Sequence, residues 1–459
     1  MGPVKIKRNQ RDSMIAPALH GIQTKKFPPT PMNRLPEANL SAQSLIWEQV
    51  GDWRVRMKTQ AGGSHDFDLA PPREVRVQDE PAPLGLPEPN EKTDGWLRGL
   101  PLGGVRAEEC TIPGALLPAS LVVKEAPGAA GTALVRGRDY DLDPEWGTVW
   151  RLEKGKAPAG RKVWFDYCHI PQRLDSAVWT ATGEVVIREG RTHAAMPTPP
   201  PLAPGEKRLA NFHLPGPMEC LEKIHLFPIG ESAYPEQASP GASPAEKFLP
   251  RTLAKLRSGE PLKILTWGDS VTEVGRYQPL FLEGLRRRFP KAKTQLRTEA
   301  WPGKSTVDYL AQPPGAAHSF EEKVLAVRPD LIVSEFVNDA SLREEPRETR
   351  GRYERIRNAF VDIGAEWVLF TPHYVKPDWM GLDRQRDIDD DPRPYVRFLR
   401  EFAREHGLAV ADAASRFGRL WRQGIPYLTL MENGINHPNQ AGHQILAESL
   451  LALFPKTPR

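Results

Sequence analysis

Four residues far apart in the chain have the types that acyl chemistry needs: Ser270, Gly303, Asn338 and His437. A serine hydroxyl is a poor nucleophile until a neighbouring base takes its proton, and the His437 imidazole is such a base. When a serine attacks an ester carbonyl, negative charge develops on oxygen and must be met by N–H donors aimed at it. The backbone N–H groups of Ser270 and Gly303 and the side-chain amide of Asn338 would supply three. Glycine suits one of these places because a missing Cβ lets backbone approach a ligand closely.

Such residues work only if the chain carries them to one place. Ser270 follows an apolar run at 263–267 that stops at Gly268-Asp269, and Leu280, Leu282, Leu285 and Phe289 then recur at near-helical spacing. From about 251 onward the same alternation repeats. Expected strands at 263–267, 295–301, 331–336, 367–370 and 408–411 are separated by expected helices at 319–327, 348–363, 395–406 and 439–453. Alternating strands and helices mean βαβ units and a parallel sheet covered on both faces. Ligands bind such sheets at the carboxyl ends of the strands. Ser270, Gly303 and Asn338 each follow one strand, and His437 lies just before the last helix. Ser270 would also open a helix, where unpaired N–H groups favour negative charge.

On those residues the chain resembles a known family. The serine stands in Gly268-Asp269-Ser270, the glycine is Gly303, the asparagine stands in Asn338-Asp339, and the histidine in His437-Pro438-Asn439, trailed by Gly442-His443. In that order they resemble the SGNH hydrolases, also called GDSL esterases, over roughly 260–455. The resemblance implies a flavodoxin-like three-layer α/β/α domain with five parallel strands. It also implies an esterase, lipase or carbohydrate deacetylase that needs no metal or organic cofactor, with Ser270, His437, Gly303 and Asn338 as catalytic positions. The segments RYQP at 276–279 and DPRPY at 391–395, with an added β-module, look most like the carbohydrate-acting branch, removing acetyl groups. One position departs from the pattern. The family places an aspartate three residues before the histidine, and here that residue is Gly434. Glu432, the side-chain oxygen of Asn433 or a backbone carbonyl could accept the Nδ1 proton instead. Gly434 also motivates an alternative, a weakened or inactive hydrolase that binds glycan. A lipase or lysophospholipase is a third reading, with no obvious lid in the sequence.

The front half reads differently. Proline makes up 47 of 459 residues, about twice the usual share of roughly 5%, and much of it precedes residue 250. Residues 1–44 read as an extended lead and 45–235 as a β-sandwich-like accessory domain of short strands. Within it 138–143 and 148–150 form one expected hairpin, and 178–180 and 185–188 another. A proline-rich linker is expected at 236–258 and the hydrolase domain at 259–459. Seven tryptophans, at 47, 53, 96, 146, 150, 164 and 179, permit a sugar platform but more simply fill a core.

The other candidates have ordinary readings. Asp269 organises a turn. His373 ends a strand near the site and either contacts substrate or is a hydrogen-bonded structural histidine, and His443 is structural. Asp389-Asp390-Asp391, ahead of Pro392 and Pro394, caps a helix rather than binding metal. Lys304, Ser305, Arg276 and Tyr277 form the expected pocket rim. A net charge of +4 argues for neither nucleic acid nor anionic membrane as partner. Cys110, Cys168 and Cys220 show no metal-ligand spacing and read as free thiols. The basic N-terminus lacks a sustained apolar core, so the location reads as cytoplasmic unless the true start lies upstream.

Overall fold

The structure, a computed structural model, describes residues 45–60, 62–87, 95–129, 131–157, 159–236, 242–342, 344–388 and 390–456. The expected lead at 1–44 and positions 237–241 of the expected linker lie outside the described residues.

Five strands form one parallel sheet: β1 (Pro261–Gly268), β2 (Lys293–Ala300), β3 (Leu331–Glu335), β4 (Glu366–Thr371) and β5 (Ala409–Asp412). Their spatial order is β2-β1-β3-β4-β5. Because successive side chains in a strand point to opposite faces, each strand feeds two cores. Leu262 and Ile264 of β1, with Val368 and Phe370 of β4, pack under the helices Pro250–Ser258, Tyr277–Arg288 and Gln440–Leu451. Leu265 and Trp267, with Trp367 and Leu369, pack under Pro346–Asp362 and Pro394–His406. The result is a three-layer α/β/α domain. Trp267 is wholly buried among the rings of Tyr309, Phe320, Phe336 and Phe360, at centroid distances of 5.4, 5.3, 4.8 and 5.9 Å.

Three local expectations are modified. The helix after β1 is split into a single turn, Ser270–Glu273, and a longer helix, Tyr277–Arg288. The expected helix at 319–327 winds as a wider π-helix over Phe320–Leu325. Residues 244–258, expected within the linker, instead fold as two helices, Pro244–Phe248 and Pro250–Ser258. Their Ala245, Leu249, Leu253 and Leu256 are buried in the α/β core. Proline opens both helices, at the first-turn position where its missing N–H removes no hydrogen bond.

Among the described residues, the named strands of the front half pair antiparallel. Strands Leu45–Gly51, Arg54–Thr59 and Ser64–Asp68 form a meander. A four-stranded sheet joins Val185–Arg188, Arg173–Trp179, Lys207–Leu214 and Leu226–Pro228. These two share a core that includes Trp47, Val55, Met57, Trp179 and Phe212. A second core, around Val105, Val123, Phe165 and Tyr167, lies under Val75–Pro83, Lys162–His169 and Val122–Lys124. The antiparallel strands expected at 45–235 are therefore present, gathered around two cores. Both expected hairpins form. None of the seven tryptophans is exposed, and Trp47 and Trp179 are buried in the core.

The two halves of the molecule are pinned together. Asn211 Nδ2 donates to the Gly424 carbonyl at 2.6 Å, and the N–H groups of Gly230 and Glu231 both donate to the Arg422 carbonyl, at 2.7 and 3.0 Å. The Phe227 ring lies 4.1 Å from that of Trp421. A short hairpin, Arg106–Ala107 paired with Cys110–Thr111, reaches the carboxyl edge of the parallel sheet. No described helix is long and apolar enough to cross a membrane.

Candidate active site

The serine end of the site is set by Asp269. Its carboxylate accepts from the N–H of Val271 at 3.2 Å, capping the helical turn that Ser270 opens. It also accepts from the backbone N–H and side-chain Nδ2 of Asn338, at 3.0 and 3.1 Å. One buried carboxylate thus ties the end of β1 to the end of β3. Asn338 Nδ2 donates onward to the Lys304 carbonyl at 3.3 Å, which brings in the turn that holds Gly303. Asp339 secures the same turn from behind, accepting from the N–H and hydroxyl of Thr306 at 2.8 and 2.6 Å. Burial pushes the Asp269 carboxyl up from its ordinary range, against the pull of N–H donors from Asn338 and Val271. Asp269 therefore organises the turn, as the sequence indicates.

Gly303 has φ of +72°, a left-handed conformation that suits glycine, and a Cβ built there would enter open space. Among the described residues, the backbone N–H groups of Ser270 and Gly303 have no hydrogen-bond partner. Two donors are thereby available to an oxyanion. The Asn338 amide is differently placed, since its Nδ2 already serves Asp269 and Lys304. The helix dipole expected behind Ser270 reduces to that of one turn.

His437 stands on a loop between Met431 and Pro438 that is closed by a bridge between those two residues. Asn433 holds this loop from inside: its side-chain oxygen accepts from the N–H groups of Ile435, Asn436 and His437 at 2.9, 2.9 and 3.0 Å. The loop presents His437 Nε2 to Ser270 Oγ at 3.1 Å. On the other side of the ring, Nδ1 lies 3.0 Å from Oε2 of Glu108, at the tip of the 106–111 hairpin, and 3.4 Å from Oε1 of Glu109. An ionised carboxylate only accepts hydrogen bonds. Nδ1 therefore carries the proton, and the lone pair on Nε2 faces the serine hydroxyl, the tautomer a general base needs.

This partner corrects the sequence reading. Glu432 is paired with Arg276, and the Asn433 oxygen is committed to three backbone N–H groups. The acceptor is a side chain 329 residues away, not either of these or a backbone carbonyl. No local pattern at 108 marks it. The available signal was indirect: a histidine lacking its aspartate, and a Glu-Glu pair awaiting a role.

The electrostatics of the pair are reciprocal. The hydrogen bond from His437 is the main influence holding the Glu108 carboxyl below its usual range, with partial burial opposing it. Burial lowers the affinity of His437 for a proton. The hydrogen bond to Glu108 and the charges of Glu109, Glu108 and Asp269 outweigh it, so its pKa sits above that of an ordinary imidazole. Glu108, Glu109 and His437 bring ligand-type atoms within 4.8 Å of one another, a spacing a cation can use. Both His437 nitrogens are already engaged, however, by Ser270 and by Glu108.

The other candidates sort by burial. His373 is fully buried with Nε2 2.8 Å from the Asn436 carbonyl, and burial holds its pKa down to about 3, so it supports the His437 loop from beneath. His443 is buried and stacked on Tyr277, itself in the core. Asp391 accepts from the Arg393 N–H and guanidinium ahead of the helix Pro394–His406, and Asp390 pairs with Arg400. Ser305 caps Thr306–Leu310. Lys304 lies over the Trp301 ring at 5.4 Å. Arg276, Glu432 and Lys304 remain partly exposed.

Residues 266–445 match the GDSL-like Lipase/Acylhydrolase family. A search of curated proteins found no match. Among solved structures, the chain is similar to Axe2, an acetylxylan esterase from Geobacillus stearothermophilus, at 20% identity over 43% of this chain and 96% of that one, with a TM-score of 0.35. A GDSL-like lipase from Parabacteroides merdae matches at 16% identity over 42% of this chain and 94% of its own, with a TM-score of 0.34. A member of the lipolytic G-D-S-L family from Veillonella parvula matches at 17% identity over 41% and 95%, with a TM-score of 0.30.

Proposed function

We propose, from the premise that residues 266–445 belong to the GDSL-like lipase/acylhydrolase family and form a carboxylic ester hydrolase domain, that the protein is a serine esterase releasing short acyl groups, acetyl foremost, from a carbohydrate. The observation that carries this reading is the 3.1 Å contact between Ser270 Oγ and His437 Nε2, with the backbone N–H groups of Ser270 and Gly303 unengaged beside it.

In the first step His437 takes the hydroxyl proton as Ser270 Oγ attacks the ester carbonyl, and the oxyanion turns toward the N–H groups of Ser270 and Gly303. The protonated His437 returns that proton to the departing sugar oxygen, leaving the acyl group on Ser270. Water, deprotonated by the same imidazole, attacks the acyl-serine; as the C–Oγ bond breaks, His437 returns the proton to Ser270 Oγ, and the carboxylic acid leaves. Asn338 strengthens the oxyanion site if one of its amide hydrogens leaves Asp269 or the Lys304 carbonyl. No step calls for a metal or organic cofactor.

The rim favours a polar alcohol over a long acyl chain. Glu108 and Glu109 beside His437, with Arg276 near Glu108, are charged and partly exposed, where an acyl groove would be apolar. Gly434 motivated the reading of a decayed hydrolase, and the Glu108 carboxylate 3.0 Å from Nδ1 supports an active one instead.

Hydrolysis of p-nitrophenyl acetate and of an acetylated glycan tests the proposal. Ser270→Ala should lower turnover by ~10³-fold or more, since removing the nucleophile of such a unit abolishes most of its catalysis. Undiminished turnover in this variant would refute it. Preference for a long-chain ester over acetate would move the assignment to a lipase.

A further inference from the structure

We infer that Glu108, carried by the N-terminal domain, is the positioning residue for His437, so that the docked β-domain completes the catalytic unit where Gly434 leaves it without an acid. The inference rests on the Ser270–His437 reading above and adds to it a second domain.

Three independent features of the structure converge on this. The first is the contact itself, His437 Nδ1 to Glu108 Oε2 at 3.0 Å on the ring face opposite Ser270. The second is an exchange of space at the position where the family keeps its aspartate. Gly434 has φ of +70°, and a Cβ built on it would lie 2.5 Å from Cδ1 of Ile112, the residue that follows the Glu108 hairpin. The hairpin therefore fills the room a local aspartate would take and brings its own carboxylate to the same nitrogen. The third is the conformation of Glu108, with φ of +50° in a two-residue hairpin turn where glycine would be the easy choice. Arg106 Nε donates to the Glu108 carbonyl at 3.1 Å, and the Ile112 N–H donates to the Val105 carbonyl at 2.9 Å, so both sides of the tip are fixed.

The groups that face His437 are Glu108 and Glu109 from the hairpin, Asp269 from the end of β1, and His443 and His373 from the elements beneath, with Arg276 beside Glu108. Replacing Glu108 by the isosteric amide removes its negative charge and keeps only a neutral acceptor, while leaving the Glu109 carboxylate at 3.4 Å.

The test compares the full-length wild type with Glu108→Gln, Glu109→Gln and the double variant, following p-nitrophenyl acetate hydrolysis from pH 5 to 9. We expect Glu108→Gln to lose about ten- to a hundredfold in kcat with KM nearly unchanged. The loss is smaller than the roughly ten-thousandfold of a fully buried protease aspartate, because Glu108 is partly exposed and Glu109 remains. The acid limb of its pH profile should move to lower pH, since an imidazole relieved of a neighbouring anion deprotonates earlier. Glu109→Gln should move the limb less, and the double variant should exceed both, all three melting close to the wild type. A merely structural glutamate would lower the melting temperature without moving the limb. Full kcat and an unmoved limb in both Glu108→Gln and the double variant would overturn the inference. A wild type that neither hydrolyses the ester nor accepts a fluorophosphonate on Ser270 would overturn the esterase reading itself, which separates the two failures.

Discussion

The serine end and the histidine end of this site are built in contrasting ways. Ser270, Gly303 and Asn338 are joined through Asp269 and Asp339, carboxyls buried inside one domain and fed by the strand ends of a single sheet. His437 depends on a loop steadied by Asn433 and on Glu108, a partly exposed residue from a different domain. The first end is tied by hydrogen bonds that lie wholly within the α/β part of the chain. The second is complete only when the β-domain is docked, through contacts such as Asn211 with Gly424 and Phe227 with Trp421. Stability and catalysis should therefore separate along this line.

The largest effect is expected from breaking the buried end. Asp269→Ala orphans the N–H groups of Val271 and Asn338 and leaves the Asn338 Nδ2 only its Lys304 partner, and leaving such groups unpaired costs ~1–3 kcal/mol for each buried polar group. The expected outcome is a large drop in melting temperature together with near-complete loss of ester turnover. A variant that melts like the wild type would mean that β1 and β3 are not tied through this carboxylate. Asn338→Ala comes next. If the amide is redirected to the oxyanion during turnover, kcat falls ~100-fold or more while KM changes little. A fall below about tenfold would leave the two backbone N–H groups as the working donors and Asn338 as a structural tie.

The smallest effect belongs to the exposed end and depends on pH. Glu108 has its pKa lowered in the folded protein, so its contribution is present above the ordinary carboxylate range and lost as pH falls through the folded value. His437 has its pKa raised, so its contribution is present below the ordinary imidazole value near 6.5 and lost as pH rises through the folded value. The pair therefore adds stability in the window between them. The urea midpoint of wild type minus that of Glu108→Gln should be largest near pH 5–6 and shrink toward pH 9. A difference that grows with pH would contradict the assignment of the pair.

What the sequence could and could not tell follows the same division. The parallel sheet with its two covered faces was legible from the periodicity, and the proposed positions Ser270, Gly303 and Asn338 stood out because each follows an expected strand, His437 because it precedes the last helix. The helices at 244–258 were missed because Pro244 and Pro250 look like breakers, although proline is well suited to a helix's first turn. The single turn after Ser270 was missed because apolar spacing runs on past it. Glu108 was out of reach for a different reason. Docking of two domains brings residues 108 and 437 together, and no period in the chain encodes that contact. Gly434, in the place of the expected aspartate, and the Glu108-Glu109 pair without a role were the indirect pointers to it.

Activation of Ser270 by His437 is read without any substrate by covalent capture. The full chain is treated with a fluorophosphonate at neutral pH, digested, and its peptides weighed. A single adduct is expected on the peptide containing Ser270, absent in Ser270→Ala and formed far more slowly in His437→Ala. An unlabelled Ser270 in a chain that still hydrolyses esters, or labelling undiminished by loss of His437, would contradict it.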